Sequence, residues 1–126
     1  KWLGEVRDGT LARLYQKASA VVQYSLDEGF DYTVAEALHF GRPLVLSNIP
    51  VHREVAGDLG CYVSPFDPDQ LAESIEVVLS WSETRIKEHA AAADRMLTRI
   101  RRNGHPERYL EVYKKAVSFK NSVAFR

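Results

Sequence analysis

Fourteen consecutive residues hold most of the chemistry this chain could do: Ser25-Leu26-Asp27-Glu28-Gly29-Phe30-Asp31-Tyr32-Thr33-Val34-Ala35-Glu36-Ala37-Leu38. They run from the end of a strand-like segment into a helix-like one. Such a junction leaves the first backbone N–H groups of the helix free and aims its positive dipole end at the crevice beyond the strand, a setting suited to phosphate or diphosphate. Gly29 lets the backbone approach a ligand where a Cβ would stand in the way. Glu28 lies on the loop, and Glu36 lies on the first helical turns, set back from the tip. A carboxylate so placed would repel a phosphate, yet it can accept two hydrogen bonds from neutral vicinal hydroxyls such as those of a ribose.

Both glutamates have plainer readings. Thr33-Val34-Ala35-Glu36 has the spacing of a capping box, in which Glu36 would only satisfy the helix start. Glu28 on a loop is more often a solvated surface charge. Spacing leaves both alternatives open.

The flanking elements must position this segment. Residues 2–6 read as a strand, and Asp8 or Thr10 can cap a helix with Leu11, Leu14, Tyr15 and Ala18 on one face. Residues 20–24 form a second strand, 25–32 a polar loop, and 33–40 a helix closed by Gly41 and barred from continuing by Pro43. Leu44-Val45-Leu46 is apolar at every position, as expected of a strand buried on both faces. It should lie between strands 20–24 and 61–63. A short helix over 51–56 ends at Gly57-Asp58. Asp67-Pro68-Asp69-Gln70 is a helix start with an Asp cap, Pro in the first position and Gln three residues on, followed by a stripe of Leu71, Ile75, Val78 and Leu79. This alternation predicts an α/β fold, a Rossmann-like parallel sheet with flanking helices.

From residue 81 the pattern is helical: Ile86, Ala90, Ala93, Leu97 and Ile100 share one stripe. Asn103-Gly104 breaks it, and Pro106 opens another helix through Tyr109, Val112, Tyr113 and Ala116. Arg99, Arg101 and Arg102 read as a solvated helix end favoured by the dipole. The expected organisation is a donor-binding βα core over 1–80, C-terminal helices of the same domain over 81–120, and a patternless tail over 121–126.

Composition narrows the function classes. The chain has 126 residues, 45% hydrophobic and 27% charged, as in an ordinary globular domain. Seventeen basic and seventeen acidic residues balance to zero, against the basic excess of a dedicated nucleic-acid binder. Cys61 is the only cysteine, which rules out an internal disulfide and favours a reducing compartment; it reads as a small core residue. His39, His52, His89 and His105 are scattered and read as structural or solvated, so no metal site is expected. No apolar run approaches the roughly 20 residues of a membrane span, and no signal peptide is visible. A cytoplasmic location follows as the expectation, at the inner membrane face if the acceptor is a lipid.

Glu28 and Glu36, with seven residues between them, sit in a longer ordered pattern: Ala37-Leu38-His39-Phe40-Gly41-Arg42-Pro43-Leu44-Val45, then Ser47-Asn48, Glu54-Val55, Gly60, Pro65-Phe66-Asp67-Pro68 and Leu71-Ala72, preceded by Trp2-Leu3-Gly4 and Leu14-Tyr15-Gln16-Lys17-Ala18. Over residues 2–79 this resembles retaining glycosyltransferases of the GT-B fold (family 4, group 1), whose E-x7-E motif the two glutamates match. The resemblance implies the C-terminal, nucleotide-sugar-binding domain of a two-domain enzyme. Glu28 would lie beside the donor sugar as the catalytic carboxylate. Gly29, Phe30 and Asp31 would contact sugar hydroxyls, the N–H groups of Tyr32 and Thr33 would hold the diphosphate, and Glu36 would bind the ribose. Asp31 stands where many members have Gly, and Tyr32-Thr33 where they have a small or apolar pair, so the sugar is left undefined.

The implied reaction transfers a hexose from a nucleoside-diphosphate sugar with retention, by front-side attack and without a cofactor. The acceptor, a saccharide or a lipid-linked one, would be held by the missing N-terminal domain, as would the basic residues that face the diphosphate. The chain by itself is therefore expected to be inactive and to bind donor weakly. Residues 2–6 would lack neighbouring strands and should fray, repack or pair with another copy. The rival readings are a non-catalytic α/β nucleotide-binding or regulatory module, another nucleotide-sugar enzyme such as an epimerase, and a flavodoxin-like phosphate or flavin binder.

Overall fold

The computed structural model describes residues 1–103 and Lys115. Helix α1 (Asp8–Lys17) leads into β1 (Val21–Gln23), and α2 (Tyr32–His39) into β2 (Leu44–Ser47). Helix α3 (Pro50–Ala56) and a 3-10 turn (Gly57–Leu59) precede β3 (Gly60–Val63), followed by α4 (Pro68–Leu79) and α5 (Glu83–Asn103). The three strands are parallel in the order β1-β2-β3, with Val22, Val45 and Cys61 in register. The fold is therefore α/β and Rossmann-like, with β2 central as its unbroken apolar run requires.

Alternation along β2 divides the core in two. Leu44 and Leu46 face a cluster with Tyr15, Val34, Ala37, Leu38, Ala56 and Ala93, contributed by α1, α2, α3 and α5. Val45 faces the other side, with Val63 and with Val78, Leu71 and Ile75 of α4. Helices thus cover both faces, and every residue of β2 is buried. All three strands end at one edge of the sheet, so the loops after Gln23, Ser47 and Val63 collect there. Gly41 closes α2 at φ +63° and lies against α5, where an added Cβ would come within 2.7 Å of the Ala90 Cβ.

Several expectations change at the edges. Residues 2–6 are not a strand: they pair with none of the described strands, and Trp2 and Leu3 stay exposed. Apolar residues alone cannot make a strand whose backbone groups have no ladder partner. Helix α1 is capped at Arg7 without a side-chain bond, and Asp8 lies in its first turn. Leu14 and Leu79, at the margins of their stripes, are exposed, leaving Tyr15 and Val78 as the buried anchors. Asp67 caps α4 by accepting from the Gln70 N–H, but the Gln70 side chain accepts from the Ser64 N–H instead of reaching back to Asp67. Cys61 is half-buried against the α4 side of the core. Arg99 is exposed. The Gly104 break, the helix from Pro106 to Ala116 beyond Lys115, His105 and the 121–126 tail lie outside the described residues.

Candidate functional site

The loop after β1 is held in place from beneath. The Ser47 hydroxyl, at the end of β2, donates to the Ser25 carbonyl at 2.7 Å and accepts from the Ser25 N–H at 3.1 Å. The Ser25 hydroxyl in turn donates to Glu28 Oε1 at 2.7 Å, and the Gln23 amide donates to the same oxygen at 3.1 Å. Glu28 is therefore a half-buried carboxylate with an oriented head group, not a freely solvated charge.

Helix α2 begins one residue earlier than its spacing suggests, because Asp31 caps it. Asp31 sits at φ +63°, the only non-glycine among the described residues with positive φ, a region that Asp tolerates better than most side chains. Its Oδ1 accepts from the Val34 N–H at 3.3 Å, and its Oδ2 meets His52 Nε2 at 2.8 Å. Both carboxylate oxygens are thus engaged within the protein, and the residue is buried. No partner for the backbone N–H groups of Tyr32 and Thr33 is found among the described residues, as expected of the first turn of a helix. Phe30 and Tyr32 are exposed, with ring centroids 5.0 Å apart. A Cβ on Gly29 would meet no protein atom within 4 Å.

Glu36 is not the partner of a capping box. Its Oε2 accepts from the Tyr15 hydroxyl at 2.8 Å, and Tyr15 stacks on Phe40 with centroids 5.4 Å apart. Burial, reinforced by the hydrogen bond and charge of Glu36, pushes the Tyr15 phenol up to about 12, so it stays protonated and donating. Asp8, Leu11, Ala12, Tyr15, Glu36 and Phe40 line a cavity of about 160 Å³. Glu28 is not among its walls, so this cavity does not bring the two glutamates together. A roomier hollow of about 370 Å³ lies between Gly57–Leu59 and α5, among Ala92, Arg95, Met96 and Arg99. It opens beside the residues that lead into β3, away from the carboxyl ends of the strands, and has no bearing on the loop chemistry.

The sequence singles out the loop and both glutamates as candidates but not Tyr15, Gln23, Ser47 and His52, which hold them and the loop in place. Tyr15 and Glu36 are separated by 21 positions, and so are Asp31 and His52. No spacing rule connects residues so far apart. The one available signal was an Asp at a tight turn before a helix, which is compatible with left-handed backbone.

Among the described residues, no helix is long and apolar enough to cross a membrane. Residues 1–80 match the family model described as glycosyl transferases group 1. The chain is 33% identical over 82 residues to the serotype-specific mannosyltransferase WbdA of Escherichia coli, covering 65% of this chain and 10% of that protein. It is 38% identical over 86 residues to the O-antigen chain mannosyltransferase B of Escherichia coli, 66% of this chain and 23% of that protein. Against the O-antigen chain mannosyltransferase RfbU of Salmonella typhimurium, identity is 39% over 75 residues, 60% of this chain and 21% of that protein. The chain thus spans a quarter or less of the length of these relatives. No solved structure gives a significant match. With its parallel three-stranded sheet and a family match across the whole βα core, this chain belongs to the group 1 glycosyl transferases.

Proposed function

We propose that this chain forms the nucleotide-sugar-binding part of a retaining hexosyltransferase, with α2 and its preceding loop as the donor site. The observation that carries this reading is the preset geometry around the α2 tip. The N–H groups of Tyr32 and Thr33, which have no partner among the described residues, open the helix that follows β1, at the strand ends where ligands of parallel α/β folds bind, while Ser25 and Gln23 hold Glu28 and Tyr15 holds Glu36. The tip would hold the donor diphosphate. Glu36, with one oxygen engaged by Tyr15, retains the other for ribose hydroxyls, and Glu28 lies ahead of the tip on the side of the sugar.

In the reaction, an acceptor hydroxyl bonds to the anomeric carbon as the bond to the diphosphate breaks, both on the same face. The hydroxyl proton passes to the departing phosphate oxygen, giving a glycoside and a nucleoside diphosphate. Oriented dipoles at the α2 tip stabilise the charge that builds on the leaving group. The relatives are named as mannosyltransferases, which favours mannose as the sugar. The acceptor, a saccharide or lipid-linked saccharide, is assigned to parts of the enzyme outside this chain.

Calorimetric titration of the full-length protein with nucleoside diphosphates and with inorganic diphosphate tests this. One nucleoside diphosphate should bind more tightly than diphosphate alone, because ribose contacts at Glu36 add to the phosphate contacts. Equal binding of the two would leave Glu36 without its role, and no binding of either would overturn the donor site.

A further inference from the structure

His52 lies on α3, outside the donor loop, yet it is fully buried against it. Its Nδ1 lies 2.8 Å from the Ser47 carbonyl oxygen, which can only accept, so Nδ1 carries a proton. Its Nε2 lies 2.8 Å from Asp31 Oδ2, too close for two bare lone pairs, so that contact also holds a proton. The proton can reside on the imidazole or on the carboxyl group. Either placement leaves the Asp31–His52 pair with no net charge. Asp31 thereby caps α2 without setting an uncompensated anion beside the tip.

The other side of the ring reaches the rest of the loop. Ser47 Oγ lies 3.1 Å from His52 Nδ1 and clamps both the N–H and the carbonyl of Ser25, whose own hydroxyl holds Glu28. A continuous hydrogen-bonded path therefore runs Asp31–His52–Ser47–Ser25–Glu28, anchored on the buried end of β2 and on α3. It joins the α2 cap to the Glu28 carboxylate in the middle of the loop.

Building on the donor-site reading above, we propose that His52 is the positioning residue of the donor loop. It touches no donor atom itself. It holds Asp31 in its left-handed conformation, cancels that residue's charge at the diphosphate site, and ties the α2 tip to Glu28. Loss of His52 would leave an unpaired carboxylate facing the incoming diphosphate and would release the loop.

Three proteins test this: wild type, His52→Ala, and His52→Ala combined with Asp31→Gly. Each is checked for folding by thermal melting, titrated with a panel of nucleoside diphosphates, and compared by amide NMR without ligand. His52→Ala should weaken nucleoside-diphosphate binding by at least about tenfold, the scale on which small misplacements act. It should also shift the amides of Ser25 and Glu28 before any ligand is added. Adding Asp31→Gly removes the stranded charge and accepts positive φ without strain, so most of the affinity should return. If His52→Ala does not fold, His52→Gln is read in the same way. Unchanged affinity in the single variant, or no recovery in the double variant, would overturn the proposal, since a residue that only fills space gains nothing from Asp31→Gly. If wild type binds no nucleoside diphosphate, the donor-site reading falls. The ligand-free shifts then decide the clamp alone, and unmoved Ser25 and Glu28 amides would refute it.

Discussion

Replacing Tyr15 by Phe removes one oxygen atom and leaves the rest of its environment intact. The ring keeps its place in the core and its stack on Phe40 at 5.4 Å. What goes is the 2.8 Å hydrogen bond to Glu36 Oε2. A hydrogen bond to a charged group contributes about 1.5–3 kcal/mol net. Glu36 is only half-buried and borders a cavity of about 160 Å³ that water can enter. Rehydration of the freed carboxylate should hold the loss near the lower figure, about 1.5 kcal/mol. Urea unfolding would show this as a lower midpoint at unchanged slope. The same variant should bind the preferred nucleoside diphosphate about tenfold more weakly, equivalent to roughly 1.4 kcal/mol, because Glu36 loses its fixed orientation toward the ribose. Its affinity for inorganic diphosphate should not change.

An alkaline arm isolates the same contact. In the unfolded chain the phenol ionises near 10.0, whereas in the folded protein it ionises at about 12. The stability linked to the neutral phenol is complete below pH 10 and is lost as pH rises toward 12. Tyr62 is also raised, chiefly by burial, so the informative quantity is the difference between wild type and Tyr15→Phe. Equal stability of the two proteins at neutral pH, with parallel alkaline losses, would refute the reasoning: the bond would then hold neither Tyr15 nor Glu36.

Gly41→Ala should destabilise by about 2–4 kcal/mol, since the new Cβ meets the Ala90 Cβ at 2.7 Å and its Cα at 3.2 Å while φ stays positive; thermal unfolding reads it directly. His89 donates from Nε2 to the Arg42 carbonyl, and burial keeps the ring neutral below its usual 6.5 despite that bond. The unfolded chain then takes up the proton first, so this contribution is present above pH 6.5 and is lost as pH falls below it; melting at about pH 7.5 and about pH 5.5 should show a smaller acid loss in His89→Gln. In the full-length protein, Glu28→Ala combined with Glu36→Ala should cut glycosyl transfer by at least roughly 10²-fold, whereas a regulatory module would keep its function with both changed.

How much could be read from the chain depended on whether the deciding contact was local. β2 declared itself through three consecutive apolar residues between breakers, and the α4 start through Asp67 and Pro68, because those signals act within a few positions. Residues 2–6 carried a weaker pattern, broken by Gly4 and Glu5, and failed because a strand also needs a ladder partner that local sequence does not reveal. The two glutamates could be located but not interpreted: the box spacing at Thr33-Val34-Ala35-Glu36 was genuine, yet Asp31 took the cap and Tyr15 took the carboxylate. Leu14 and Leu79 show the same limit, since a stripe's margin is buried only if another element reaches it. His52 lacked any signal of its own. Its role exists only once α3 folds under the loop and brings it to Asp31.

We propose that the loop after β1 and the tip of α2 grip the diphosphate end of an activated sugar. Amide shift mapping of the protein during titration with its preferred nucleoside diphosphate tests this most directly. The largest shifts should fall on Tyr32 and Thr33, followed by Gly29 and Glu36, and should saturate together. Shifts concentrated instead around Gly57, Met96 and Arg99, with the α2 tip unmoved, would contradict the account.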